Sequence, residues 1–307
     1  METKNSTRDD TEYESYSETC KVYDIRRNAI GLNYITDAID EVRFFFFPRT
    51  RTIKTLTHKQ IIRKTGRKRE DLVLVDAGCG TGNYVANVSK FVGRAIGFEY
   101  NEGMLGKCRE KCKMMKNVKV IEGNLLQPLP FEDHSVDVVI INQVLHHIAG
   151  SKKEENCFFV LKEFSRVLRD GGALVINTQD PTQHIEGFWW AEIIPNAVKK
   201  LADRLVTVEW LRKSLKSLSF NVDQVGIPPK PLMAMKFYLD TNGPFQEQFR
   251  SGDSTWSLAT EKELSDGLDW YRKTIVDQGK TEEYMKEREK IRARVGQTTS
   301  IVAFLSL

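Results

Sequence analysis

Short apolar segments alternate with longer amphipathic segments along the chain from about residue 71 to residue 177. The apolar segments have the length and continuous hydrophobicity of buried strands. They cover residues 72–76, 95–99, 118–121, 136–142 and 173–177. The amphipathic segments between them, at about 84–92, 103–115 and 158–168, have helical spacing, and Asp170, Gly171 and Gly172 are expected to close the helix at 158–168. This alternation predicts a parallel sheet with helices on both faces.

The pattern is less regular after the fifth apolar segment. Residues 180–187 are polar and predict a loop, whereas 188–205 and 208–218 predict helices. Residues 222–225 and 300–304 predict two further strands. The segment 228–297 between them is too long for a simple loop and is expected to fold as a cap. We therefore predict an α/β fold with a doubly wound, mostly parallel seven-stranded sheet and helical cap insertions.

A glycine-rich turn follows the first predicted strand and carries the strongest chemical signal. Asp76 precedes three alternating glycines, Gly78, Gly80 and Gly82. Glycines at the start of a helix let the backbone approach a ligand closely. Glu99 ends the second predicted strand, where a carboxylate can accept hydrogen bonds from ribose hydroxyls. Together, these residues predict a nucleoside pocket, and the G-x-G-x-G spacing differs from the G-x-G-x-x-G of dinucleotide-binding proteins.

This turn resembles motif I of class I S-adenosylmethionine-dependent methyltransferases. The resemblance continues at residues 123–131, at 133–147 and at 168–172, which look like the quinone-biosynthesis branch of methyltransferase type 11. It implies a Rossmann-like fold, S-adenosylmethionine as cofactor and a donor-binding core over about 71–177. The donor contacts that it implies are Asp76, Gly78, Gly80, Gly82, Glu99, Asn124 and Asn142. Asn124 stands where aspartate is commoner, and its side-chain carbonyl can still accept a hydrogen bond from the adenine amino group.

Methyl transfer depends mainly on alignment and on exclusion of water. A hydroxyl or acidic carbon as acceptor also needs a base, and His146 and His147 after the fourth predicted strand are the candidate catalytic residues. An amine or a thiolate would react without a base. The alternative interpretation is that one histidine packs against or caps the next helix while the other only shapes the pocket. No metal is required.

The acceptor side is predicted from segments around the donor core. Tyr23 lies in an amphipathic stretch that in many family members folds over the donor, and His184, Trp189 and Trp190 follow the fifth predicted strand. We expect one tryptophan to line the acceptor pocket and the other to pack in the core. The additions 180–220 and 228–297 would thus belong to a single domain, 21–307, after a disordered polar segment at 1–20.

Composition narrows the class of protein. The net charge of +4 is mild for 307 residues, so a small-molecule acceptor is favoured over a nucleic acid. The chain lacks both a segment of about 20 apolar residues and a signal peptide at its start, so a cytoplasmic protein without a membrane span is expected. An odd number of cysteines, five, suits a reducing compartment. Cys108 and Cys112 could share a helix face and bind a soft ligand, although nothing nearby in the sequence completes such a site.

Three alternatives to a small-molecule methyltransferase remain open from the sequence. One is a nicotinamide-dependent dehydrogenase, which the glycine spacing disfavours. Another is a methyltransferase that acts on a protein or a nucleic acid. The third is a degenerate domain that binds the donor or a partner without turnover, against which the intact glycine turn and Glu99 argue.

Overall fold

The computed structural model describes residues 24, 27, 29–44, 68–251 and 253–306. The predicted disordered segment 1–20 and the predicted acceptor residue Tyr23 lie outside the described residues. No described helix is both long enough and apolar enough to cross a membrane.

Seven strands form one sheet, which confirms the predicted α/β class. They are β1 Val73–Ala77, β2 Arg94–Glu99, β3 Val118–Glu122, β4 Val136–Asn142, β5 Leu168–Thr178, β6 Phe220–Gly226 and β7 Thr299–Leu305. The strand order is β3-β2-β1-β4-β5-β7-β6. The first five strands pair in parallel, and β7 runs antiparallel between β5 and β6. The order therefore reverses between β1 and β4, the position at which open α/β sheets bind ligands.

Helices connect and cover these strands. They are α1 Leu32–Phe44, α2 Asn83–Val88, α3 Glu102–Cys112, α4 Leu145–Ile148, α5 Lys153–Val167, α6 Pro181–Glu186, α7 Pro195–Ala202 and α8 Val208–Ser217, followed by α9 Met235–Tyr238, α10 Glu247–Arg250, α11 Ser254–Ser257, α12 Glu261–Tyr271 and α13 Thr281–Val295. A π-helical turn, Arg272–Val276, continues α12. The helices that cross between parallel strands lie on the two faces of the sheet, as the pattern from 71 to 177 predicted.

Two hydrophobic clusters lie on the two faces of the sheet, because successive strand residues point to opposite sides. Val75 and Val139 belong to one cluster and Leu74 and Val138 to the other. All seven residues of β4 are buried. Continuous burial is typical of a central parallel strand covered on both faces, and it explains why residues 136–142 are apolar almost throughout.

A third hydrophobic cluster lies outside the sheet, where the chain between β6 and β7 packs against the segment after β5. Trp189, Trp190 and Ile193 from the earlier segment meet Tyr238 and Trp256 from the later one. Residues 228–297 thus contain five helices and share a core with residues 188–198. The long insertion therefore has a buried interior that it shares with the segment after β5.

Three local predictions were wrong. Residues 181–186 form α6, not a loop, because Asp180 caps the helix through the backbone N–H of Thr182 and Pro181 occupies its first turn. Residues 188–190 are not helical, and the predicted helix at 188–205 is only a 3₁₀ turn at Ala191–Ile193 followed by α7. Residues 170–172 belong to β5 and do not close α5, which ends at Val167.

Candidate functional site

The turn between β1 and α2 carries three glycines with positive φ. The φ angles of Gly78, Gly80 and Gly82 are 74°, 54° and 85°. A Cβ atom added at Gly78 would lie 2.5 Å from Cγ2 of Val144, and one at Gly82 would lie 2.7 Å from Sγ of Cys108. A Cβ atom at Gly80 would meet no described atom within 4 Å. Gly80 therefore faces open space, whereas the other two glycines permit close packing within the protein.

Glu99, at the end of β2, is fixed by three backbone hydrogen bonds. Its Oε1 accepts from the N–H groups of Tyr100 at 2.9 Å and Asn101 at 2.8 Å, and its Oε2 accepts from the N–H of Gly80 at 2.8 Å. Burial raises the pKa of Glu99, and these hydrogen bonds oppose that increase. Because a carboxylate has about four lone-pair positions, one can still accept from a ligand. The carboxylate of Glu99 therefore lies beside the backbone of Gly80, which has no side chain.

Asp76, one residue before the end of β1, is a buried carboxyl group with 1% of its surface exposed. Its Oδ2 accepts a hydrogen bond from the backbone N–H of Val85 in the first turn of α2, at 2.9 Å. Burial raises the pKa of Asp76 from 3.8 to about 8, and the nearby Glu99 adds to this increase, whereas the Val85 hydrogen bond opposes it. A ligand ammonium group beside Asp76 would favour its ionised form.

Asn124 and Asn142, which were predicted to contact the methyl donor, differ in their hydrogen bonding. Asn142, at the end of β4, is buried, and neither its Oδ1 nor its Nδ2 has a partner among the described residues. Buried amide groups are normally hydrogen-bonded, so this side chain is suited to a ligand. Oδ1 of Asn124 accepts from the backbone N–H of Leu126 at 2.8 Å and forms a local turn. A carbonyl oxygen has a second lone pair, which remains for a ligand. Contact of Asn124 with the methyl donor stays a prediction.

Asp24, from the N-terminal stretch, contacts the glycine turn. The hydroxyl of Thr81 donates to Oδ1 of Asp24, and Nζ of Lys111 lies 2.8 Å from its Oδ2. Lys111 also donates to Oδ1 of Asn83, in the first turn of α2, at 2.5 Å. Sequence reasoning missed Thr81, which is a variable position between two of the glycines, and Lys111, which lies on α3.

His146 and His147 lie together in α4, after β4, with ring centroids 4.0 Å apart. Burial lowers the pKa of His146 well below its usual range and that of His147 to about 3, and the positive charges of Arg27 and Arg204 contribute to both decreases. Nδ1 of His146 is buried without a partner among the described residues. Both rings are therefore neutral near neutral pH, and a neutral imidazole has one nitrogen that can accept a proton.

The predicted acceptor residue His184, on α6, joins a buried polar network that reaches the cap. Its Nδ1 lies 2.9 Å from Oε1 of Gln179, and its Nε2 lies 3.5 Å from the hydroxyl of Thr255. That hydroxyl donates to Oδ1 of Asp253 at 2.7 Å, and Nη2 of Arg27 lies 3.0 Å from Oδ2 of the same carboxylate. Burial would raise the pKa of Asp253, but Arg27 and the Thr255 hydrogen bonds hold it below its usual value. The network joins three distant parts of the chain.

The two adjacent tryptophans are each only 1% exposed. Nε1 of Trp189 donates to the carbonyl of Tyr238 at 2.7 Å, so Trp189 is a packing residue of the cap. The ring of Trp190 lies 5.0 Å from the rings of Phe188 and Trp256. Contact of Trp190 with an acceptor stays a prediction.

Three cysteines lie beneath the glycine turn. Sγ of Cys79 and Sγ of Cys108 are 3.6 Å apart, and Cys112 is buried one helical turn from Cys108. Within the described part of the chain, no group of three or more His, Cys, Asp or Glu side chains is arranged to hold a metal ion. The thiols fill the space between the turn and α3, which is a packing role.

The fold and the site define a class of protein: a doubly wound α/β protein in which a glycine turn follows β1 and a partly buried carboxylate ends β2. A protein from an antibiotic biosynthesis pathway of Anabaena variabilis ATCC 29413 has the same fold, with a TM-score of 0.59 and 19% identity over 80% of this chain and 95% of that chain. The YcgJ protein of Bacillus subtilis is also similar, with a TM-score of 0.50 and 15% identity over 81% of this chain and 97% of its own.

Residues 75–176, about a third of the chain, match the family described as methyltransferase domain. The chain is also similar to demethylmenaquinone methyltransferases of Staphylococcus aureus. It is 32% identical to that of strain MRSA252 and to that of strain JH9 over 164 residues, 51% of this chain and 65% of each relative. It thus spans just under two thirds of these relatives. The resemblance inferred from the glycine turn is confirmed.

Proposed function

We propose that this protein transfers a methyl group from S-adenosylmethionine to a small-molecule acceptor. The observation that carries the proposal is the geometry at Gly80. Gly80 has no side chain, which leaves open space, and its backbone N–H donates a hydrogen bond to Oε2 of Glu99 at 2.8 Å. A ribose needs both a backbone it can approach closely and an acceptor for its hydroxyls. The methyltransferase family of residues 75–176 supports a donor whose nucleoside carries no phosphate.

The residues present fit this donor at several points. By the family resemblance, Glu99 would hold the ribose, Asp76 would lie near the amino acid end and Asn124 near the adenine. The unpartnered amide of Asn142 offers a further polar contact at the end of β4. When bound, the donor supplies a methyl group on a sulfonium centre, which the lone pair or carbanion of an acceptor displaces in line. Asp76, with its raised pKa, would lose its proton more readily beside the donor ammonium.

The chain's own contribution to the chemistry is alignment, exclusion of water and acceptance of a proton. His146 and His147 follow β4 at the ligand-binding edge of the sheet, and burial keeps both rings neutral. A neutral His146 can take the proton of a hydroxyl or of an acidic carbon as the acceptor attacks. The ring of His147 lies against that of His146, with the two ring planes tilted by 45°.

The acceptor side would be formed by residues 180–220 and 228–297, within one domain that includes the donor-binding core at about 71–177. The third hydrophobic cluster joins these two segments, and the His184 network links the cap to Gln179, just after β5. The Staphylococcus aureus relatives are named for demethylmenaquinone, a small molecule, which supports an acceptor of that size. The mild net charge of +4 favours the same choice over a nucleic acid.

Calorimetric titration with S-adenosylhomocysteine tests donor binding, and Gly80→Ala is the decisive variant. Its methyl group would fill the open space at the turn, so affinity should fall at least about tenfold, by steric conflict. The matched control is Gly279→Ala in the cap. Gly279 also has positive φ, at 66°, and open space around its Cβ position, so the control reproduces the backbone strain away from the site.

Equal binding by both variants would remove Gly80 from the donor site. Tight binding of NAD⁺ instead of S-adenosylhomocysteine would replace the proposal by a dehydrogenase. Incubation of metabolite extracts with isotopically methyl-labelled donor, followed by mass identification of products, tests turnover. Donor binding without any labelled product would favour a non-catalytic domain.

A further inference from the structure

Gln143, the residue after β4, has a left-handed backbone with φ of 55°. This conformation is unfavourable for a residue with a Cβ atom, and His134 and Ser219 are the other non-glycine residues in the described part of the chain with positive φ. Backbone strain of this kind is common at functional sites. Gln143 lies between Asn142, which offers its amide to the methyl donor, and helix α4. The strain therefore points to a role in this site.

Two hydrogen bonds to Asn177, near the end of β5, hold Gln143 in this conformation. The backbone N–H of Gln143 donates to the carbonyl of Asn177 at 2.8 Å, and its Nε2 donates to Oδ1 of the same residue at 2.7 Å. Nδ2 of Asn177 donates to Oγ of Ser300, on β7, at 2.9 Å. The oxygen and the NH2 group of this buried amide thus each have a partner.

Asn177 is the neighbour of Asn142 across the sheet. The register of β4 and β5 pairs these two residues. Paired residues of adjacent strands are about 5 Å apart and project their side chains to the same face. Ile140 and Val175, two residues earlier on each strand, belong to the same hydrophobic cluster, which confirms the shared face. Amide side chains at this spacing form hydrogen-bonded ladders in other sheets, yet the amide of Asn142 has no partner among the described residues.

The contacts of Asn177 explain why Asn142 is left unpaired. A buried amide without a partner is unfavourable, so Asn142 would gain from a hydrogen bond to its neighbour. Gln143 binds Oδ1 of Asn177 and Ser300 binds Nδ2, so both polar ends of the Asn177 amide are occupied. The amide of Asn142 therefore remains available to a ligand at the carboxyl end of β4.

We propose that Gln143 is a positioning residue, which binds Asn177 and thereby keeps the amide of Asn142 available to the methyl donor. This inference rests on the proposed function, because Asn142 needs a donor to contact. Without the side chain of Gln143, Asn177 would pair with Asn142 and compete with the donor for it. Donor affinity would then fall although the fold is kept.

Calorimetric titration with S-adenosylhomocysteine tests the role of Gln143. Gln143→Gly adopts the positive φ without strain, and Gln143→Asn tolerates it but has a side chain one carbon shorter. Each variant should bind about tenfold more weakly than the wild type, as should Asn142→Ala, because one hydrogen bond to the donor is lost. The melting temperature of Gln143→Gly without ligand should stay close to that of the wild type, since relief of strain offsets the lost side-chain contact.

The matched control is Ser219→Gly. Ser219 lies between α8 and β6, has a φ of 64° and has an exposed side chain. The substitution relieves the same backbone strain away from the site, so donor affinity should not change.

Two double variants separate positioning from a merely structural role. Gln143→Gly with Asn177→Ala should regain the wild-type affinity, because no amide is left to capture Asn142, whereas general damage to the site would make this variant worse than either single one. Gln143→Gly added to Asn142→Ala should weaken binding no further than Asn142→Ala alone. If the Asn177 variant does not fold, this second comparison decides.

The proposal is overturned if Asn142→Ala or the Gln143 variants bind S-adenosylhomocysteine as tightly as the wild type. It is also overturned if the Asn177 double variant folds without regaining affinity, or if the effects of Gln143→Gly and Asn142→Ala are additive. Failure of the wild-type protein to bind S-adenosylhomocysteine would instead overturn the proposed function, so the two failures are distinguishable.

Discussion

The raised pKa of Asp76 predicts that the contribution of this residue to folding stability falls as the pH rises. Burial raises this pKa from 3.8 to about 8, so the folded state binds more protons than the unfolded state between these values. The free energy of unfolding changes by about 1.4 kcal/mol per pH unit for one proton, so the contribution of Asp76 should fall by about 2–3 kcal/mol between about pH 5 and about pH 7. Asp76→Asn removes the titration, while its side-chain oxygen can still accept from the N–H of Val85.

Urea denaturation of both proteins without ligand measures this effect. The free energy of unfolding of Asp76→Asn minus that of the wild type should increase by about 2–3 kcal/mol from about pH 5 to about pH 7, because all other titrating groups cancel in the difference. Asp277→Asn, which removes an exposed carboxylate from the cap, controls for the change in net charge. A difference that stays constant over this range would refute the assignment of a buried, largely protonated Asp76.

Three further predictions follow from the site. Below the raised pKa of Asp76, affinity for S-adenosylhomocysteine should rise about tenfold per pH unit, and calorimetry should find this dependence lost in Asp76→Asn. Glu99→Gln should weaken donor binding about tenfold by calorimetry and also lower the melting temperature, because the amide NH2 group cannot accept the backbone hydrogen bond that one carboxylate oxygen accepts in the wild type. Arg27→Met leaves the buried carboxylate of Asp253 without its ion-pair partner, so denaturant titration should show a loss of about 3–5 kcal/mol, partly restored by Asp253→Asn.

The sheet could be predicted from the sequence because its strands are buried on both faces. Residues 136–142 illustrate this, since their continuous apolar character follows from their central place between β1 and β5. The segment 188–190 could not be predicted, because its aromatic side chains pack against residues of the cap that are far away in the sequence. Helix α6 carried a readable signal. Asp180, Pro181 and Gln183 form a capping box with proline in the first turn, which the overall polarity of 180–187 obscured.

The donor side of the site was more accessible to sequence reasoning than the acceptor side. The glycine turn and Glu99 are separated by only one helix and one strand. Their short separation in the sequence therefore indicates that they are close in the fold. Arg27 and Asp253 are 226 residues apart, and no local pattern relates them. The sequence Asp253-Ser254-Thr255 is typical of a helix cap, which the structure contains. It could not indicate that the same carboxylate pairs with Arg27 and supports Trp256.

Asp24 and Arg27 connect the glycine turn to the cap. Asp24 binds Thr81 in the donor turn, and Arg27 binds Asp253 in the cap. Arg27 follows Asp24 by only three residues, and a fully extended chain of that length spans about 10–11 Å. The glycine turn and the capped end of α11 therefore cannot move far apart while both contacts persist. Opening of the cap away from the donor turn requires that one of them break, and the nearly buried Arg27–Asp253 pair is the more costly to break.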